Sequence, residues 1–413
     1  MIRAVKGTRD LLPPDTAVWN RVESIAREVF HAYNYQEIRT PILEETQLFA
    51  RGVGTDTDIV SKEMYTFDDH GTSLTLRPEN TASVIRSYIE HRLDQRPGVQ
   101  KLFYMGPMFR RERPQKGRYR QFFQIGAEAI GSDSPLIDAE VIEMVTELLT
   151  RTGLTGFHLL INSVGCSNCR PKFVEKLREA LKPVAPSLCT DCQRRSETNP
   201  LRVLDCKVPE DQDAINQLPS ILDSLCEICA PHFEAVKSYL DLAGVPFEVK
   251  PRLVRGLDYY MRTTFEVTHG HLGSQNSVLG GGRYDGLAES LDSKVPAPGI
   301  GFSIGQDRLV MALDQTEEAG PEYYIVPQGN EEITRRAVLL ARDLRRAGRS
   351  VEVSTAKKFK RAFEIANGIH ARNVIIIGED EFQANRYSLK DMKTGEQQLV
   401  TREQLLPVNT IEV

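Results

Sequence analysis

The sequence predicts an α+β protein: a largely antiparallel sheet with flanking helices, interrupted by a helical insertion and followed by a smaller α/β domain. Three observations predict it. Residues before Cys166 combine apolar helices with two hairpin patterns, where a doubly wound fold would alternate strand and helix. From Cys166 to about Ala243 the composition shifts to cysteine, proline and short helical stretches. After residue 321, strand and helix patterns alternate to the end. A length of 413 residues fits two or three domains at roughly 100–200 residues each.

The elements follow in order. Val18, Val22, Ile25, Val29 and Phe30 recur at helical spacing, with Trp19 and Ala26 beside them and Pro13, Pro14 and Asp15 as a start signal. A strand over Gln36–Thr40 ends at Pro41. Met64–Phe67 and Ser73–Leu76 flank the turn residues Asp68, Asp69, His70 and Gly71, which predicts a hairpin. Val84, Ile85, Tyr88 and Ile89 predict a helix from about Glu79 to Leu93. A longer hairpin spans Lys101–Arg111 and Gln121–Ile130, with the densely basic connection RERPQKGRYR. A helix near Asp138–Thr152 carries Val141, Ile142, Val145, Leu148 and Leu149 and stops at Gly153.

Beyond the insertion, sheet patterns return at Phe247–Val254, Thr263–Thr268 and Ser277–Gly282, and a strand and helix occupy Gly299–Leu313. Thr316–Pro321 reads as a linker. The last domain predicts strand Tyr323–Val326, helix Glu331–Ala347, strand Val351–Val353, a helix near Lys358–Ile369 and strand Asn373–Ile377. The expected domains are therefore 1–165 and 246–315 as two parts of one sheet domain, 166–245 as its insertion, and 321–413.

Composition narrows the function classes. The formal net charge is −5, so any nucleic-acid contact must come from local patches and not from a basic chain. No apolar run approaches the ~18 residues of a membrane helix. The opening MIRAVKGTRDLLPP has no apolar signal-peptide core, so a cytoplasmic location is expected. No GxxxxGKS/T phosphate loop occurs, so a nucleotide would be held by arginines and a metal ion.

Arginine, planar and permanently charged, suits phosphate and carboxylate. The basic hairpin holds Arg110, Arg111, Arg113, Arg118 and Arg120. Such a run on its own is usually a solvated surface. Its strand context changes the reading: Met108-Phe109-Arg110-Arg111-Glu112, a loop, then Arg120-Gln121-Phe122 resembles motif 2 of the class II aminoacyl-tRNA synthetases. Gly299–Leu309, with Arg308 on a helix after a strand, resembles motif 3, and the helix before Arg39-Thr40-Pro41 resembles the looser motif 1. Leu253–Tyr260 and Gly280–Asp285 are similar to the two histidine signatures of the histidyl-tRNA synthetase family. Lys6–Asp10, Leu76–Glu79 and the C-terminal α/β pattern, similar to an anticodon-binding domain, extend the resemblance over nearly the whole chain.

The resemblance implies ATP-dependent ligation of L-histidine to tRNA(His) through a histidyl-adenylate, with ATP, Mg2+, a homodimer and no membrane. It implies catalytic roles for Arg110, Arg255 and Arg308. Glu79, Thr81, Gln124, Glu128, Arg255, Tyr259 and Tyr260 would bind histidine, with Glu128 and Tyr260 hydrogen-bonding the ring nitrogens. Arg110, Glu112, Phe122 and Arg308 would bind ATP, with Phe122 or Phe123 against adenine, and Arg113, Gln115 and Arg118 would meet the tRNA acceptor end. Asn80 replaces the family's usual glycine, where asparagine's tolerance of left-handed backbone is expected to serve. Gln306-Asp307 and Phe123 also depart from the pattern.

The related regulatory subunit of ATP phosphoribosyltransferase is a competing reading. The intact arginines and the extra C-terminal domain count against it. The seven cysteines leave zinc, buried thiols and redox sensing all open. Cys166-x-x-Cys169 with Cys189-x-x-Cys192 has the spacing of a zinc ribbon, and Cys206, Cys226 and Cys229 follow. No residue is assigned to a metal from sequence.

Overall fold

The computed structural model describes residues 2–54, 57, 59–115, 117–273, 276–313 and 320–406; most of the expected linker Thr316–Pro321 lies outside them. The chain divides into two units, Met1–Leu11 with Val18–Gln315, and Leu12–Ala17 with Thr316–Val413.

Eleven strands among the described residues of the first unit are β1 Gln36–Glu37, β2 Leu43–Glu45, β3 Tyr65–Asp69, β4 Thr72–Leu76, β5 Gln100–Phe109, β6 Gln121–Ile130, β7 His158–Ser163, β8 Glu248–Val249, β9 Met261–Thr268, β10 Ser277–Arg283 and β11 Gly299–Gly305. Eight build one sheet in the order β1-β5-β6-β11-β10-β9-β7-β8, while β2-β4-β3 form a small second sheet. The six inner strands are antiparallel to their neighbours, and only the edge pairs β1–β5 and β7–β8 are parallel.

One face of the large sheet is covered by two long helices. Asp15–Ala32 buries Val18, Trp19, Val22, Ala26, Val29 and Phe30. Pro135–Thr152 is capped by the Ser134 side chain and ends at Gly153 in the left-handed conformation, as the sequence pattern requires. Their apolar faces meet Ile125, Ala127, Phe265, Val267, Ile300 and Phe302 in one core. The other face of the sheet is left for chemistry.

Local differences from expectation have local causes. The β3–β4 hairpin closes on His70 and Gly71 alone, both at positive φ (51° and 88°), so its strands run further than predicted through a tight two-residue turn. The strand expected over Phe247–Val254 is only Glu248–Val249. Beyond it, Asn162 Nδ2 donates to the carbonyls of Pro251 (3.3 Å) and Leu253 (2.9 Å), a side chain replacing a strand partner. The predicted strand Gln36–Thr40 stops at Glu37, and Thr40 instead bonds the Asn80 side chain at 2.7 Å.

The insertion is helical, with its own core of Phe173, Leu177, Leu181, Cys192, Val203 and Ile215. That core also takes in Val254 and Tyr260 from the sheet domain.

In the second unit, β12 Tyr323–Pro327, β13 Val351–Val353 and β14 Asn373–Ile377 pair in parallel, and β15 Tyr387–Asp391 and β16 Gln397–Val400 continue the sheet antiparallel. Alternate strand residues serve opposite faces. Ile325, Ile375 and Ile377 pack on helix Glu331–Arg346, while Tyr324, Val326 and Val374 pack on helix Phe359–Gly368.

Candidate active site

The exposed face of the large sheet carries a cleft of about 260 Å3. Its floor is built from glycine for a steric reason. Gly126, Gly280, Gly301 and Gly305 sit on neighbouring strands in register with the polar positions Gln124, Glu128, Ser303 and Glu266. A Cβ on Gly280 would stand 1.7 Å from the Arg255 guanidinium, and one on Gly301 would stand 1.7 Å from Glu128 Oε2. Side chains lie flat on this floor because nothing projects from it. The Gly280–Gly282 run lies within strand β10, whose pairing with β9 shifts register just after Gly282.

Arg110, Arg255 and Arg308 line this one cleft, although they come from the residue after β5, the segment before β9, and the helix Gln306–Leu313. Each has an anchor in the fold. Arg110 Nε donates to the Pro78 carbonyl at 2.9 Å, with the guanidinium 5.2 Å from the centre of the Phe122 ring. Arg308 Nε donates to the Ser277 carbonyl at 2.5 Å. Arg255 pairs with Glu266 at 3.0 Å. Burial and the neighbouring Arg118 both lower the Arg308 pKa, so this end attracts anions. Glu112 forms an ion pair with Arg118 at 3.0 Å.

The opposite end is polar and closed. Glu79, Thr81, Gln124, Tyr259 and Tyr260 line it. Glu79 is buried, yet its carboxylate accepts from the Thr81 and Ala82 amides at 2.7 and 3.0 Å. It therefore sits at the N-terminus of helix Thr81–Glu90, where backbone N–H groups and the helix dipole favour negative charge. Burial raises its pKa against those bonds. Gln124 Oε1 is buried with no hydrogen-bond partner among the described residues, an acceptor awaiting a donor.

Glu128 occupies a different place from the other expected histidine ligands. It is fully buried and is not among the residues lining the cleft. Its oxygens accept from Thr81 Oγ1 and Tyr284 Oη, both at 2.7 Å. Burial pushes its carboxyl up to about 8. Two registers of the strand beyond Gln124 bring it under the wall, so in this structure it braces Thr81 and Tyr284. Arg283, from the same signature, is likewise buried, bonded to Asp138 at 2.7 Å and Asp285 at 2.6 Å.

The basic loop divides. Arg118 turns into the cleft, whereas Arg113 and Gln115 are exposed. Of the two phenylalanines, Phe122 lines the cleft, and Phe123 packs edge-on against Trp19 at 5.4 Å. Asp307 bonds Arg9 at 2.7 Å and the Phe123 amide at 3.1 Å, which ties the N-terminal segment to this end of the cleft. Asn80 has φ −123°, so left-handed backbone is not why it is tolerated. Its buried side-chain oxygen accepts from Thr40 and Arg77 at 2.7 and 3.3 Å. Tyr104, Glu266 and Ser303 are near or in the cleft and escaped the sequence reading. Their signal was the polar side of strand alternation, legible only once the face is known.

An antiparallel sheet that presents an arginine-lined, glycine-floored cleft, with a motif 2 hairpin and a motif 3 strand–helix as neighbours, defines the class II aminoacyl-tRNA synthetase catalytic domain. A family model for histidyl-tRNA synthetase matches residues 7–309, and one for the anticodon binding domain matches residues 322–408. The chain is 70% identical to a histidine–tRNA ligase of Solibacter usitatus over 98% of each chain. It is 58% identical to that of Koribacter versatilis, over 98% of this chain and 95% of the relative. A crystal structure of apo S. aureus histidyl-tRNA synthetase superposes with a TM-score of 0.79 at 39% identity, covering 98% of this chain and 99% of that one. The chain belongs to the histidyl-tRNA synthetase family, and it is a ligase that joins histidine to tRNA. The regulatory-subunit reading is not favoured. Among the described residues no helix is long and apolar enough to cross a membrane.

Proposed function

We propose that this cleft makes histidyl-adenylate and passes the histidyl group to tRNA(His), with the residues named above in defined roles. A carboxylate oxygen of histidine attacks the α-phosphorus of ATP. The bond to the diphosphate breaks and diphosphate leaves. A terminal ribose hydroxyl of the tRNA then attacks the histidyl carbonyl, and AMP leaves. Both steps build negative charge on oxygens, so fixed cations and positioning carry the catalysis. The observation that carries the reading is that three arginines distant in sequence line one cleft, opposite a buried carboxylate and an unpartnered amide oxygen.

Arg110 holds the α-phosphate, Arg308 the γ-phosphate, and Arg255 the developing charge between carboxylate and phosphorus, with Phe122 against adenine. Glu79, Gln124 and Thr81 accept the histidine ammonium. A carboxylate has about four acceptor sites, so the two amide bonds to Glu79 and the Tyr259 hydroxyl at 3.5 Å leave room for one further donor. Tyr260 serves the imidazole, and Glu128 is a positioning residue that holds Thr81 and Tyr284. Pairing a ring nitrogen with Tyr260 rejects analogues that lack it, because the site's own polar group would then stay unpaired.

Mg2+ prefers oxygen donors and keeps several waters, so one carboxylate plus phosphates suits it. Glu112, beside Arg110 and Arg118, is the carboxylate that would hold it, and the ion would neutralise phosphate charge there. Arg113 and Gln115 reach the acceptor end of the tRNA, with Arg118 linking that loop to the cleft. Residues 321–413 read the anticodon, the helix before Arg39-Thr40-Pro41 belongs to a homodimer interface, and the protein works in the cytoplasm.

Pyrophosphate–ATP exchange with each of the twenty amino acids tests the reading. Exchange that depends on histidine alone is expected, and exchange with another amino acid, or none, overturns it. Removing the residues after about 320 should depress tRNA charging and leave exchange. Charging at the normal rate would remove the anticodon role.

A further inference from the structure

The seven cysteines are all free thiols, and they stand in two clusters, four in one and three in the other, none among the residues lining the cleft. The ribbon spacing of Cys166-x-x-Cys169 and Cys189-x-x-Cys192 suggests that these two knuckles face each other. The fold separates them. Cys166 and Cys169 instead meet Cys226 and Cys229, while Cys189 and Cys192 meet Cys206 and Asp211.

In the first cluster the sulfurs of Cys166 and Cys169 are 3.8 Å apart, those of Cys166 and Cys226 3.7 Å, and those of Cys169 and Cys229 3.8 Å. A disulfide needs ~2.0 Å. Four sulfurs placed tetrahedrally around Zn2+ at ~2.3 Å stand about 3.8 Å from one another. The observed edges match that figure. Two backbone amides point at the sulfurs: Cys166 N–H donates to Cys169 Sγ at 3.2 Å, and Asn168 N–H donates to Cys166 Sγ at 3.4 Å. N–H donors favour thiolate, the form that binds metal.

The second cluster repeats the arrangement with one oxygen. Cys189 and Cys206 sulfurs are 3.9 Å apart, and Cys206 Sγ lies 3.2 Å from Asp211 Oδ2. All four ligand atoms in each cluster lie within 4.8 Å of one another. Val208 N–H donates to Cys206 Sγ at 3.4 Å, and the Cys189 amide donates to both Asp211 oxygens at 3.1 Å, which turns the carboxylate toward the thiols. Buried Cys192 and Asp211 are shielded from water.

We propose that the insertion is a two-zinc module, with one Zn2+ held by Cys166, Cys169, Cys226 and Cys229 and a second by Cys189, Cys192, Cys206 and Asp211. The first site closes the neck of the insertion. Cys166 follows β7 directly, and Cys229 opens the helix Cys229–Leu242, whose Phe233, Val236 and Leu240 enter the main core. A metal that joins these two ends closes the long excursion 170–225, where loop closure in the unfolded chain costs most. The same knuckle grips the sheet. Val164 N–H donates to the Arg262 carbonyl, and the Arg262 amide donates to Gly165, both at 2.8 Å. The second site fastens the short helices within the excursion, adding to the small core they share.

Elemental analysis of the full chain, expressed with zinc and freed of loose metal, tests this. About two zinc per chain are expected, about one in Cys226→Ser and about one in Cys189→Ser. Wild-type protein exchanged with Co2+ should show sulfur-to-cobalt charge-transfer bands and intense visible bands of tetrahedral geometry, a readout independent of catalysis and of whether the variants fold. One zinc lost only in Cys226→Ser upholds the first site and overturns the second; one lost only in Cys189→Ser does the reverse. Zinc near zero with seven thiols titrating freely, or iron in its place, overturns both.

Discussion

The two ends of the cleft solve the problem of buried polarity in opposite ways. At the end proposed to hold phosphate, long guanidinium side chains from distant segments are anchored, by Pro78 for Arg110, Ser277 for Arg308 and Glu266 for Arg255. Charge is kept ready for an incoming anion. At the amino-acid end, Glu79, Thr81, Glu128, Tyr259 and Tyr284 bond one another, and burial raises both carboxyls. Many polar groups there are satisfied before any ligand arrives, while the Gln124 amide oxygen and the Tyr104 and Ser303 hydroxyls, which also line the cleft, have no partner among the described residues. On the proposed reading, the difference teaches that one end serves rate and the other selectivity. Fixed charge lowers a barrier, whereas a satisfied network penalises any ligand that leaves it unpaired.

The largest effect is expected at the phosphate end. Arg255→Ala should lower the exchange turnover by about 10²- to 10³-fold, as loss of a preorganised charge partner does, with histidine KM changing far less. Arg255→Lys should restore little, since a point charge lacks the planar fork. A turnover within twofold of wild type would erase the distinction between the ends.

Gly280→Ala comes next. Its Cβ would meet the Arg255 guanidinium at 1.7 Å, so the arginine must move, and overpacking of this kind costs about 1–3 kcal/mol. Turnover should fall roughly tenfold by the same reasoning. An unchanged turnover with a lowered melting temperature would mean that the glycine serves packing alone.

Glu128→Gln probes the other end. Histidine KM should rise by up to about tenfold, the worth of one hydrogen bond, because Thr81 and Tyr284 lose their brace, while ATP KM stays put. The stability profile should change as well. Glu128 has its pKa raised from 4.5 to about 8, so between those values the folded chain keeps a proton that the unfolded chain has lost. Stability therefore falls as pH rises through that window. The variant should show a shallower fall in urea midpoint from pH 5 to pH 8. Some slope must remain, because burial also raises Asp138, to about 7. An unchanged slope would show that Glu128 is not the buried acid described here.

The smallest effect belongs to Arg113→Ala on the exposed part of the loop. Removing one phosphate contact should raise the tRNA KM about two- to threefold, more at low salt. Histidine-dependent exchange measured alongside separates this from damage to the cleft, and an unaltered tRNA KM at low salt would remove Arg113 from the acceptor-end surface.

Much of the site was legible in the chain because local patterns report local geometry. The hairpin around Arg110, the strand–helix carrying Arg308 and the helix from Pro135 to Thr152 all announce themselves by periodicity and caps. Glu79 was legible as a site residue but not as a helix-terminal acceptor. Phe122 and Phe123 were indistinguishable in sequence, since adjacent strand residues face opposite sides and only the core decides which side is which. The strand β7 was missed for a related reason: it gains its identity from pairing with β9, whose partners stand 100 or more positions later in the chain.

By itself the sequence determined the element types, the family motifs and the inventory of charges and thiols, because spacing along a helix or strand is a property of the local chain. The tertiary structure alone decided which partners meet: Glu128 beneath Thr81 and Tyr284, Asn80 holding Thr40 and Arg77, and Cys166 facing Cys226 in place of Cys189. Those contacts join residues far apart in the chain. Their choice follows from sheet order and close packing, which no local pattern encodes.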